Sequence, residues 1–182
     1  MPTTHFLHPK DYKRFIFYQK TVCLYDITFY FVNKYLGKGD RTVDQMVQAA
    51  RSGKQNIIEG TEAAMTSSET EIKLNNVARA SLKELLADYE DYLRVRRLPV
   101  WDASHPRYSR MRAFCYSHNE TEHYMPLLDR LSDEEMANIC ITLIHQADAA
   151  MHKHLKSLEE EFVKNGGIRE QMTQARLQAR KK

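Results

Sequence analysis

The stretch QMVQAARSGKQNIIEG, from Gln45 to Gly60, decides how the chain is read. Wound at about 100° per residue, it gathers Val43, Val47, Ile57 and Ile58 on one side of a helix. Ala50 and Gly53 lie inside that arc, and Lys54 falls near its centre. A glycine in a helix interior costs about 1 kcal/mol against alanine. Close approach of another helix would compensate, and Ala49, Ala50, Ser52 and Gly53 form a small-residue patch that allows it. Lys54 must then snorkel past the patch or meet a carboxylate, with Asp26, Asp88 and Asp91 as candidates. The patch and Lys54 therefore read as helix packing or subunit contact, since no convergent acid, base or cofactor site accompanies the lysine.

The same periodicity recurs along the chain, and no alternating strand pattern with hairpin turns interrupts it. A first helix is expected from Tyr12 or Tyr18 to Leu36, ending at Gly37. A second starts near Thr42, where TVDQ fits a capping box, and stops before Gly60. A third starts at SETE, Ser68 to Glu71, and runs to about Arg96. A fourth starts at SDEE, Ser132 to Glu135, and ends at Asn165–Gly166. Two shorter segments, YSRMRAFCYSH and NETEHYMPLLDRL, read as short helices in the connector between the third and fourth. Four long amphipathic helices bury their stripes on one another, so the expected fold is all-α, an antiparallel up-down four-helix bundle. The bundle is assigned to residues 1–167 and a basic C-terminal tail to residues 168–182.

The 182 residues suit one domain with a tail. The longest apolar run, Ile139 to Ile144, is far short of a membrane span, and MPTTHFLHPK lacks the features of a signal peptide. Three scattered cysteines, Cys23, Cys115 and Cys140, suggest a reducing compartment, so the expected location is cytoplasmic, with no membrane partner. The net charge is +3, but it is unevenly spread. Residues 94–112 carry +5 through Arg94, Arg96, Arg97, Arg107, Arg110 and Arg112 against Asp102. Residues 168–182 carry +4 through Arg169, Arg176, Arg180, Lys181 and Lys182 against Glu170, which leaves −6 elsewhere. Such a pattern favours a polyanionic partner.

The connector interleaves its arginines with Trp101, Tyr108 and Phe114. Arginines bind phosphates in bidentate fashion and exposed aromatics stack on unpaired bases, which points to RNA. The structural reading of the same residues is that Arg94, Arg96 and Arg97 complement the C-terminal dipole of the third helix while Trp101 plugs the bundle end. Enzyme signatures are missing. A di-iron bundle needs two Glu-x-x-His pairs, and the chain offers one, Glu120 and His123. Cys115, His118 and His123 are a weak zinc pattern, and His154 reads as a buried, hydrogen-bonded side chain. No phosphate loop, nucleophile elbow or HExxH motif occurs. The expectation is a protein without enzymatic activity, metal or cofactor.

AARSGKQNIIEG, followed by SSETEIKLNNVARASLKELLADYEDYLR, resembles the four-helix-bundle family of ribosomal RNA gene intervening sequences. That family includes the accessory variability determinant of diversity-generating retroelements. Its signature maps to Ala49, Ala50, Ser52, Asn56, Ile57, Glu59 and Gly60. ANICITLIHQADAAMHKHLKSLEEEFVKNGG looks like the extension of the four-helix suffix branch. The resemblance covers about Tyr18 to Gly167. It implies an up-down bundle that assembles into a homo-oligomeric ring, a pentamer, and binds nucleic acid through basic surfaces. As an alternative it implies a protein-interaction scaffold or an accessory subunit for a reverse transcriptase. Members often carry Arg-Arg where this chain has Val47-Gln48, and an aliphatic residue with proline where it has Gly53-Lys54. Here the basic surface is expected in the connector and tail instead.

Overall fold

A computed structural model describes residues 11–180, so Lys181, Lys182 and the stretch MPTTHFLHPK lie outside it. The described residues are helical or irregular, with no strand among them. The helices are α1 (Ile16–Tyr35), α2 (Arg41–Ala63), α3 (Ser68–Val95), α4 (Tyr108–Ser117), α5 (Met125–Leu128), α6 (Asp133–Asn165) and α7 (Ile168–Ala179). No helix among them is long and apolar enough to cross a membrane.

The capping chemistry sets where the long helices start. Asp40 caps α2 by accepting from the Thr42 amide, two positions before the start of the expected TVDQ box. Ser67 caps α3 by accepting from the Thr70 amide, which places the cap one residue before the SETE motif. At α6 the expected capping box forms, with Ser132 and Glu135 each bonding the other's backbone amide. The larger departure is at Gly60. It does not stop α2, which continues to Ala63. Glycine marks a helix end only when it leaves the helix, and this one stays inside for packing.

Each of α1, α2, α3 and α6 packs against two others: α2 lies between α1 and α3, and α6 touches both α1 and α3. The α2–α3 seam is the tightest. A Cβ added at Gly53 would stand 2.8 Å from Leu82 Cδ2 and 3.7 Å from the Ala78 carbonyl oxygen. Two turns on, a Cβ at Gly60 would meet Asn75 Nδ2 at 3.0 Å and Leu74 Cβ at 3.3 Å. As α2 advances, its neighbours on α3 recede in number, so these two helices run antiparallel. Beside Gly53 the Ser52 and Ser81 hydroxyls bond at 2.9 Å. The small-residue patch is thus filled by α3 of the same chain, with Ala49, Ala50 and Gly53 buried.

The same register logic runs α6 antiparallel to both neighbours. Tyr35 donates to the Leu131 carbonyl at the end of α1, while His154 stacks on Phe15 and Phe17 at its start. On the α3 side, Tyr92 donates to Asp133 and Arg79 pairs with Asp148. The core between the four helices is aromatic at one level: Phe31 meets Tyr89 and Tyr92 edge-on. The fully buried Tyr89 hydroxyl donates to Thr28 Oγ1 at 2.9 Å, as a buried phenol must find a partner. His154, expected to be buried, is half-buried and lies 3.9 Å from the Glu71 carboxylate.

The seam yields a stability prediction. Alanine at position 53 gains about 1 kcal/mol of helix propensity but must displace Leu82 in a filled core, at about 1–3 kcal/mol. Gly53→Ala is therefore expected to lower the urea midpoint by roughly 1 kcal/mol of stability. A gain in stability would show that the two helices are not in close approach.

Candidate nucleic-acid interface

The connector is folded onto the long helices by polar anchors that the sequence pattern did not single out. Lys20, on α1, is only 2% exposed. Its ammonium donates to the Cys115 carbonyl at 2.6 Å. That carbonyl lies in the last turn of α4, where helix carbonyls lack an intrahelical donor and the dipole is negative. Lys20 is thus a buried C-terminal cap for a helix 95 residues further along the chain. Its pKa is lowered, first by burial, with the nearby thiols of Cys115 and Cys23 acting against that shift. Gln146 on α6 adds a second anchor, donating to the Arg112 carbonyl at 3.1 Å. Tyr124 ties the following loop by donating to the His118 carbonyl at 2.8 Å.

With α4 held this way, Tyr108, Met111 and Phe114 are half-buried and Cys115 is buried. Arg112 is exposed at the edge of that stripe, and one turn on Tyr116 is 76% exposed. Arg110 is also exposed, nearer the Arg107 edge of the helix. Neither Arg110 nor Arg112 forms an ion pair among the described residues. Tyr116 was not among the expected site residues. Its spacing of four from Arg112, away from the Met111–Cys115 stripe, is the signal that could have found it.

The other expected residues divide between free and engaged. Trp101 is only 8% exposed and is not placed to stack on bases. Its indole NH donates to Glu134 at 2.6 Å and its amide donates to Asn138 Oδ1 at 2.7 Å. One ring face is stacked on His105 with centroids 4.0 Å apart. This residue plugs the connector against the start of α6, because an indole has one polar atom to satisfy and a large apolar body to bury. Arg107 pairs with Glu135 and sits over the Trp101 ring. Arg94 pairs with Asp91 at 2.7 Å, and the Arg96 guanidinium lies 3.7 Å from the Tyr92 ring centroid. Arg97 takes φ +57°, a left-handed turn in which the Leu98 amide donates back to the Leu93 carbonyl. That conformation costs a non-glycine residue about 1–2 kcal/mol and turns the chain out of α3. Arg169, Arg176 and Arg180 are exposed at α7 or its end, and α7 buries no residue.

Among the described residues Lys54 finds no carboxylate. Its ammonium lies 4.2 Å from the Tyr25 ring centroid, so the expected partner among Asp26, Asp88 and Asp91 is replaced by an aromatic face. At a half-buried site this contact is worth about 0.5–1 kcal/mol, well below a stranded buried carboxylate. Asp26 instead accepts from the Thr121 hydroxyl at 2.7 Å.

Three cysteines scattered in sequence come together beneath α4. Cys23, Cys115 and Cys140 are free and buried; Cys23 raises the pKa of Cys115, and both raise that of Cys140. Burial is the first cause in every case, lifting Cys23 to about 11 and Cys115 and Cys140 to about 12. Such thiols stay protonated and unreactive at neutral pH. The His118 and His123 rings meet with centroids 4.6 Å apart, but among the described residues no group of three or more His, Cys, Asp or Glu is placed to hold a metal ion. In comparisons with protein-family models, curated proteins and solved structures, nothing matches the chain.

The thiols make stability pH-dependent on the alkaline side. An unfolded cysteine titrates near pH 8.5, whereas the folded ones titrate at about 11 and 12. Between those values the unfolded state binds fewer protons, so stability is fully present below about pH 8.5 and falls as pH rises toward 11. Urea unfolding under reducing conditions at pH 8 and pH 10 is expected to show this loss. A triple Cys23→Ala, Cys115→Ala, Cys140→Ala variant, less stable at pH 8, should lose less between the two pH values. An equal loss in both proteins would mean the thiols are not the titrating groups.

Proposed function

We propose that the chain is a non-enzymatic, homo-oligomeric protein that binds single-stranded nucleic acid, RNA, through the basic faces of α4 and α7. In this reading α1, α2, α3 and α6 form an antiparallel up-down four-helix bundle. Its assembly is a ring of five, as the resemblance to the intervening-sequence family implies, and its location is cytoplasmic. The observation that carries the reading is the pairing of Arg112 with the 76% exposed Tyr116 on one stripe of α4. An unpaired guanidinium beside an exposed phenol ring offers a phosphate contact and a stacking surface within one helical turn. Arg110, Arg97 and the α7 arginines extend the basic surface. In a ring each basic segment repeats by symmetry, so a modest local charge becomes a positive collar.

Fluorescence anisotropy with a labelled single-stranded RNA tests this. Arg110→Gln with Arg112→Gln is expected to weaken binding across sequences and to flatten the salt dependence by roughly 0.7 for each phosphate no longer neutralised. Tyr116→Ala should cost about 1–3 kcal/mol of binding free energy if bases stack there. Arg107→Gln should matter less, because Glu135 already holds that guanidinium. If the double change and Tyr116→Ala leave affinity untouched, the basic face is solvated surface. The protein-interaction scaffold, an accessory subunit for a reverse transcriptase among its forms, is then the better reading.

A further inference from the structure

α1 carries a groove of about 770 Å³ on its outer side, between the long helices and the connector. Tyr25, Asp26, Phe29, Tyr30, Thr121 and Met125 are among its lining residues. Phe29 is 53% and Met125 47% exposed, so the groove leaves an aromatic side chain and a methionine open to solvent. Lys34 is the cation among its lining residues, and its ammonium is held at one end by the Leu128 and Asp129 carbonyls. Its acidic groups are Asp26, half-buried in the lining, and the exposed Asp129, which accepts from the hydroxyl of the lining Tyr30.

α7 has the complementary character. Wound at about 100° per residue, Ile168, Met172, Ala175 and Ala179 fall on one stripe. Arg169, Arg176 and Arg180 line one edge of that stripe. Met172 is 47% exposed, and α7 buries none of its residues. An amphipathic helix with an apolar stripe and a basic edge suits an apolar groove with acidic groups.

Helix lengths decide which copy of α7 is available. His154 lies against Phe15 and Phe17, which sets it level with the start of α1. From there α6 runs on to Asn165, about 17 Å past the level of the start of α1 at 1.5 Å per residue. Folded straight back, α7 spans about 18 Å and so returns only to the level of His154. The groove begins at Tyr25, about 12 Å further along α1. The chain's own α7 does not reach its own groove.

We propose that α7 of one chain docks into the α1 groove of a second copy, with Met172 beside Phe29 and Met125 and the α7 arginines beside Asp26 and Asp129. This rests on the oligomeric part of the functional reading. It gives α7 an assembly role, so the α7 arginines are withdrawn from the nucleic-acid surface and α4 carries those contacts.

Thiol cross-linking of the full chain tests it, since Cys23, Cys115 and Cys140 are buried. Protein carrying Phe29→Cys is mixed with protein carrying Met172→Cys under mild oxidation. A cross-linked pair containing one of each is expected, at several-fold higher yield than either protein gives alone. Asp129→Lys in the Phe29→Cys protein should lower that yield, and light scattering follows the mass in parallel. An oligomer without the mixed cross-link overturns the docking while leaving the oligomeric reading intact. A monomer at tens of micromolar removes both. Protection of the introduced position-29 thiol by a single-stranded oligonucleotide, with no mixed cross-link, also overturns the docking and assigns the groove to nucleic acid.

Discussion

The bond from the Lys20 ammonium to the Cys115 carbonyl fixes the geometry on which the functional face depends. A buried ammonium costs desolvation free energy, and here it is set against an unpaired helix-end carbonyl and the negative end of the α4 dipole. The result is a clamp between α1 and the connector. Because α4 is held at its C-terminal end by Lys20 and along its side by Gln146, its Met111–Cys115 stripe turns inward. Arg112, at the edge of that stripe, and Tyr116, further from it, are left exposed. The arginines before α4 lack such a clamp and are mostly engaged by neighbours, as with Arg94, Arg96 and Arg107.

The second constraint is the α2–α3 seam. Gly53 and Gly60, two turns apart, let α3 lie close enough that Leu82 and Asn75 occupy the space of their missing side chains. The Ser52–Ser81 hydrogen bond fixes the register between them. The bulky side chains Phe31, Tyr89 and Tyr92 fill the core at one level between α1 and α3. The glycines and serines are therefore packing devices within one chain, and α1 is left as the helix with an open aromatic groove.

What was legible in the sequence was what local chemistry decides. Periodicity places the long helices, and Ser132 with Glu135 marks the start of α6 to the residue. Gly60 reads as a helix end and is not one, because a glycine needed for a turn and one needed for close packing look alike until the neighbouring helix is known. Lys54 is expected to meet a carboxylate and meets Tyr25, since a half-buried ammonium is satisfied by either and only the tertiary register selects. Trp101 reads equally as a stacking platform or a plug, and the choice depends on Glu134 and Asn138, which lie over thirty residues away in sequence. Lys20 gives no signal, because its partner is a backbone carbonyl and carries no side-chain pattern. Tyr116 is visible in the spacing from Arg112, yet only the docking of α4 shows which side of that helix faces solvent.

The most direct measurement of the central claim is photocrosslinking of the unmodified protein to single-stranded RNA containing 4-thiouridine, with the modified peptides mapped by mass spectrometry. The account predicts that cross-links concentrate on the α4 peptide that contains Tyr116 and spare Trp101. Cross-links confined to the α2 surface, or to Trp101 with Tyr116 unmodified, would contradict it.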